Sequence, residues 1–160
     1  MNPGAPQKNH PQSLILALDF DGTCVEAENP PEIGREIGAA PYLKALSDSG
    51  IKIILWTMRS DGYIGLNNPV RPYDALAPAL GWFHRHQIRL WGINQNKDQH
   101  WTKSPKVHAH LVLDDTAFGC PLVRSEGKRP YVDWSVAGPG LLAWAGLADT
   151  PIGKASDPSR

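Results

Sequence analysis

Four short apolar runs, three of them leading directly into carboxylate or hydroxyl side chains, constrain the fold of this chain more than any other feature. They occupy residues 13–19 (SLILALD), 51–56 (IKIILW), 88–93 (IRLWGI) and 107–113 (VHAHLVL). Runs of this length and β-richness suit strands buried in a parallel sheet. A weaker fifth run covers 129–134 (RPYVDW). Helical segments fall between and after them. Residues 41–49 begin with a proline suited to a first helical position, and Gly50 stops them. Residues 74–86 carry helical spacing at Leu76, Leu80 and Phe83; Pro78 makes this helix start late or kink. Residues 139–147 complete the set. The β-α-β rhythm predicts an α/β fold, a three-layer α/β/α sandwich around a Rossmann-like parallel sheet of about five strands.

The length predicts one domain over 13–147, with a polar, proline-rich leader over 1–12 and a flexible tail over 148–160. Sixteen basic residues balance 16 acidic ones, which argues against a generally basic nucleic-acid binder or a polybasic membrane binder. The apolar stretch at 14–18 is too short to span a bilayer and makes a poor signal peptide. Cys24 and Cys120 do not make a disulfide framework and read as reduced thiols, so the expected compartment is the cytoplasm.

In parallel α/β sheets, sites form beyond the carboxyl ends of strands. The first run leads into Asp19-Phe20-Asp21-Gly22-Thr23 and the second into Thr57-Met58-Arg59. Lys106 precedes the fourth run, and Asp114-Asp115 follow it. On neighbouring strands, these would bring four carboxylates, a hydroxyl and an ammonium to one edge. Clustered carboxylates raise one another's pKa and need a counter-charge. Oxygen ligands without a Cys/His set favour Mg²⁺, which commonly shares its shell with substrate phosphate. Asp is a competent nucleophile for phosphorus, and a second carboxyl two residues on can act as acid and then base. Thr57 and Lys106 can hold phosphoryl oxygens. Each piece alone has a plainer reading: D-x-D-G as a surface turn, Asp114-Asp115 as a solvated strand exit, Lys106 as a surface lysine no better placed than Lys103. Their joint occurrence, in order and at strand edges, favours the functional one.

In this pattern the chain resembles the haloacid dehalogenase superfamily of phosphohydrolases. Its D-x-D-G-T motif is similar to Asp19–Thr23, its strand ending in Ser or Thr to residues 53–57, its lysine to Lys106, and its acidic pair to Asp114-Asp115. The likeness covers 14–115 and is closest to small bacterial and phage-type members with a strand reading ILWT-x-R, here 54–59, an asparagine-containing loop, here 94–96, and a DD pair. It implies that Asp19 attacks phosphorus and that Asp21 protonates the leaving oxygen and then activates water. It implies Mg²⁺ on Asp19, on Asp21 through its backbone carbonyl, and on Asp114 or Asp115. Thr57 and Lys106 would bind the phosphoryl group, and Gly22 would permit a tight exit from the first strand. Gly22, Thr23, Arg59, Asn94 and Asn96 are weaker candidates for substrate contact, and Arg59 and the asparagines are equally readable as turn caps. Receiver domains use a similar residue set, but with the acidic pair first.

The intervals from Asp21 to Thr57 and from Thr57 to Lys106 are too short for a large cap domain, so the site should be open. That suits a bulky or macromolecular substrate, or a homo-oligomer that supplies walls. The expectation is a Mg²⁺-dependent phosphatase acting through an aspartyl-phosphate on a phosphorylated small molecule or macromolecular end. The alternatives are a catalytically idle Mg²⁺- or phosphate-binding interaction module, and a nucleic-acid end phosphatase. The basic and aromatic stretch 97–106 gives the last only slight support, against the net charge. His108 and His110 share a strand face and read as ordinary strand-start residues, since zinc would need further ligands. The letters G-x-G-x-x-A at 138–143 lack the βαβ context of a dinucleotide site.

Overall fold

The computed structural model describes residues 14–64 and 72–153. The expected leader at 1–12 lies outside them, as do the end of the expected tail and part of the loop at 58–73. The elements are β1 (Ile15–Leu18), α1 (Ala39–Asp48), β2 (Lys52–Leu55), α2 (Leu76–Arg85), β3 (Leu90–Ile93), β4 (Leu111–Leu113), β5 (Leu122–Val123), β6 (Tyr131–Val132) and α3 (Trp134–Trp144). The fold is α/β. Four strands form one parallel sheet in the order β3-β2-β1-β4. Among the described residues no helix is long and apolar enough to cross a membrane.

The expected fifth strand does not join this sheet. β6 pairs antiparallel with β5 in a separate two-stranded hairpin, Leu122 opposite Val132 and Val123 opposite Tyr131. Pro130, just before β6, has no N–H to offer a ladder. The Val132 N–H instead donates to the Gly22 carbonyl at 2.8 Å, which fastens the hairpin to the turn after β1.

Side-chain alternation divides the sheet. Leu16, Leu18, Ile53 and Leu55 enter one buried cluster with Leu43 and Leu46 of α1, Trp82 and Phe83 of α2, and Trp134, Leu141 and Leu142 of α3. α1 and α2 share this cluster and so cover the same face, as two crossovers of the usual right hand taken in one direction along the sheet would place them, and α3 packs on α1 with Trp134 stacked on Tyr42. Lys52 and Ile54 alternate onto the other face. There the connection between β3 and β4 is tied down. The Lys52 ammonium sits over Trp91 and pairs with Asp98, while buried Asn96 holds the His108 carbonyl and the Asp98 N–H.

Local chemistry sets the element ends. Gly50 adopts φ +86° directly after the α1 C-cap, the left-handed stop that glycine allows. Pro78 falls in the first turn of α2, where a missing N–H breaks no helical bond, so the helix starts late and is not interrupted. α3 begins five residues earlier than its sequence pattern indicates, because Asp133 caps it by accepting from the Ser135 N–H at 3.0 Å, and Pro139 lies inside it. β4 is shorter than the run 107–113: the His108 N–H and C=O are held by Gln99 and Asn96, and His110 Nδ1 accepts from the Ile15 N–H.

Candidate active site

β1 lies between β2 and β4, so the chain runs one way from β1 to β3 and returns to the other side of β1 for β4. This reversal is a topological switch point, where a crevice opens beyond the strand carboxyl ends. A cavity of about 520 Å³ lies there, lined by Asp19, Asp21, Thr57, Arg59, Asn94, Asp114 and Asp115 among others.

Asp19, Asp114 and Asp115 each offer a carboxylate oxygen, and these oxygens lie within 4.8 Å of one another. The turn between β1 and α1 builds this proximity. The buried Thr23 hydroxyl donates to Asp19 Oδ2 at 3.0 Å and accepts from the Asp115 N–H at 3.0 Å, so one side chain links the ends of β1 and β4. The Trp134 indole N–H fixes the Thr23 carbonyl at 2.7 Å. Gly22 has φ +85°, a conformation that strains other residues, and a Cβ there would stand 2.5 Å from Asp115 Oδ2, so a side chain would also have to displace the Asp115 carboxylate. Asp114 accepts from the Thr116 N–H at 2.7 Å and from its hydroxyl at 2.5 Å.

The cluster carries unbalanced negative charge. Burial, together with Asp114 and Asp115, pushes the Asp19 carboxyl up to about 7, against the smaller opposing pull of hydrogen bonds from the Phe20 backbone and Thr23. Burial also raises Asp115, with Arg129 drawing it back. Three carboxylates without Cys or His are hard oxygen donors, and a divalent cation such as Mg²⁺ fits both the donor set and the missing charge. The Cys24 thiol, buried and donating to the Asp19 carbonyl oxygen at 3.3 Å, is pushed well up by its burial and stays protonated.

The side chain of Asp21 is not part of the triad. It receives a two-pronged ion pair from Arg59, Nε to Oδ2 at 2.8 Å and Nη2 to Oδ1 at 2.7 Å. Arg59 is 2% exposed, and its remaining N–H groups go to the carbonyls of Pro31, Glu32 and Ala75. All five of its donors are therefore occupied, so the resting geometry leaves none for a substrate. Arg59 instead knits Asp21, the segment after β1 and the approach to α2 into one unit.

Thr57 is buried at the cavity wall, its hydroxyl accepting from the Arg59 N–H at 3.1 Å. Asn94, at φ +50°, clamps Thr57 from both sides: Oδ1 accepts its N–H and Nδ2 donates to its carbonyl, both at 2.8 Å. It lines the cavity as a strut for Thr57. Asn96 does not line it and belongs to the cover of the sheet, and Gly22 and Thr23 shape the turn behind the carboxylates. Lys106 is exposed on the connection before β4 and does not line the cavity, nor does any residue of 97–106. The structure thus brings together Asp19, Asp21, Thr57, Asp114 and Asp115 and leaves Lys106 apart. Sequence reasoning missed Arg129, which lines the cavity from the loop between β5 and β6, and the wall residues Glu28, Pro30, Trp56, Met58, Tyr63 and Thr116. Nothing in the spacing of Arg129 connects it to Asp115; only the hairpin's attachment to Gly22 does.

No family model and no curated protein matches the chain. It is similar to a solved structure of a conserved protein coded by a locus from Bacteroides thetaiotaomicron, with a TM-score of 0.56 and 28% identity over 82% of this chain and 92% of that one.

Proposed function

We propose that this chain is a Mg²⁺-dependent phosphohydrolase of the haloacid dehalogenase type, built on a Rossmann-like parallel sheet with its helices on one face and without a large cap. The observation that carries the reading is the juxtaposition of Asp19 with Asp114 and Asp115 at the switch point, with Asp21 and Thr57 on the same cavity. Asp19, Asp114 and Asp115 would hold Mg²⁺, which supplies neutralising charge for the carboxylates and the phosphoryl group.

An Asp19 carboxylate oxygen attacks phosphorus, and the bond to the ester oxygen breaks, its electron pair leaving with that oxygen. Asp21, having taken up a proton from solvent as the phosphate ester enters, delivers it to the leaving oxygen and then takes one from the water that attacks the aspartyl-phosphate, releasing inorganic phosphate and restoring Asp19. Arg59 fixes the orientation of Asp21 for both transfers. The Thr57 hydroxyl accepts from the Arg59 N–H and keeps its own proton for a phosphoryl oxygen, while Asn94 holds the Thr57 backbone in place.

The reading is tested by phosphate release from a panel of sugar, nucleoside and aryl monophosphates with Mg²⁺. Turnover of at least one, abolished by chelator and by Asp19→Asn, is expected. Mg²⁺ binding with no turnover across the panel would instead favour an idle binding module.

A further inference from the structure

A developing phosphoryl charge needs a cation beside it, and Lys106 stands outside the cavity. We propose that Arg129 forms the phosphoryl-binding subsite of this cavity, in the role that the sequence pattern assigns to Lys106. The inference rests on the phosphohydrolase reading and adds a residue to it.

Three observations carry it. First, the cations among the described residues lining the cavity are Arg59 and Arg129, and every guanidinium N–H of Arg59 is occupied by Asp21 and by backbone carbonyls. Second, Arg129 is under-used. Its side chain is 55% exposed, and among the described residues it donates from one nitrogen, Nη2, to Asp115, at 3.1 and 3.4 Å to the two oxygens. The rest of its planar fork is left for an oxyanion. Third, its position is built. The hairpin is fastened to the reactive turn by the Val132 N–H on the Gly22 carbonyl, and Pro130 stiffens the backbone beside Arg129. The guanidinium stands against Asp115, whose carboxylate lies within 4.8 Å of that of Asp19, the atom group that would carry the phosphoryl.

The ligand class is a tetrahedral dianion, whose paired oxygens match the fork of a guanidinium. Arg129 then neutralises Asp115 in the resting site and turns its unoccupied N–H groups to the phosphoryl oxygens when one arrives.

Calorimetric titration tests this, with inorganic phosphate at saturating Mg²⁺ and with Mg²⁺ alone, on the wild type, Arg129→Ala, Arg129→Lys and Lys106→Ala. Arg129→Ala should weaken phosphate binding about tenfold or more. Mg²⁺ affinity should hold or rise as a cation leaves Asp115. Arg129→Lys should recover part of the loss, and Lys106→Ala should stay within about twofold of wild type. Unchanged phosphate affinity in Arg129→Ala, an equal loss in Lys106→Ala, or parallel losses of Mg²⁺ and phosphate in Arg129→Ala would each overturn the assignment while leaving the phosphohydrolase reading standing. A wild-type protein that binds neither Mg²⁺ nor phosphate would overturn both.

Discussion

Replacing Asp19 by Asn should stabilise the metal-free protein at alkaline pH while removing its response to Mg²⁺. Burial and the neighbouring Asp114 and Asp115 raise the Asp19 carboxyl from 3.8 to about 7. A raised carboxyl means that ionised Asp19 is tolerated less well in the folded chain than in the unfolded one. Below about pH 4 both states carry the proton and there is no penalty. As pH rises towards 7 the unfolded state has lost the proton and the folded state retains it, so stability falls; above about pH 7 the full penalty is present. At about 1.4 kcal/mol per pH unit the shift corresponds to roughly 4 kcal/mol, and screening at a cavity-facing carboxylate reduces this to about 2 kcal/mol. Asn has no such transition. In chelator, urea unfolding should therefore show Asp19→Asn gaining about 2 kcal/mol on the wild type between pH 4 and pH 8, roughly 4–8 °C in Tm at the upper pH. Saturating Mg²⁺ at pH 8 should reverse the order, since a hundredfold excess over Kd adds about 2.7 kcal/mol to the wild type alone. A stability difference independent of pH, or equal stabilisation of both proteins by Mg²⁺, would refute the reasoning.

Three further substitutions probe the supports of the site. Arg59→Ala leaves Asp21 and three carbonyls without their buried donors and should cost about 3–5 kcal/mol in urea unfolding, with Arg59→Lys recovering little because an ammonium cannot reproduce the fork; a loss under about 1 kcal/mol would contradict the hub described above. Gly22→Ala forces a Cβ towards Asp115 at a positive φ. It should lose more than about 1 kcal/mol and also weaken Mg²⁺ binding by calorimetry; unchanged values of both would count against the packing. Asn94→Ala removes both hydrogen bonds to the Thr57 backbone and should destabilise by about 1–3 kcal/mol, with a fall in phosphate release that conservative Asn94→Gln does not rescue; full activity would show that the strut is dispensable.

The parts of this molecule that were legible in the sequence are those where one local signal decides the outcome. The runs at 13–19, 51–56 and 88–93 contain β1, β2 and β3, because short runs rich in Ile, Leu and Trp and bounded by turn residues suit strands of a parallel sheet better than helices of ordinary length. Asp19, Asp21, Thr57, Asp114 and Asp115 were visible because each directly follows, or stands two or three positions beyond, such a strand, and a parallel sheet delivers all its carboxyl ends to one edge. What escaped depends on distant partners. Arg59 reads as a substrate contact until its five acceptors, from Asp21 to Ala75, are seen around it. The run at 129–134 has strand composition, yet Pro130 and the bond from Val132 to Gly22 divert it into a hairpin. Lys106 had suitable spacing, but the Gln99 side chain holds the backbone around it in an exposed loop through the Lys106 carbonyl and the His108 N–H. Spacing reports sequence order, and a loop this long does not convert order into position.

The chemistry assigned to Asp19 has a direct chemical signature. Protein mixed with a turned-over aryl phosphate, whose phenolate leaves without a proton from Asp21, and Mg²⁺, quenched in acid and digested, should yield a peptide carrying a phosphoryl group on Asp19, with the modification absent from Asp19→Asn and accumulating when Asp21→Asn slows the attack of water. Steady turnover with no phosphoryl group on Asp19, or turnover that survives in Asp19→Asn, would contradict the mechanism.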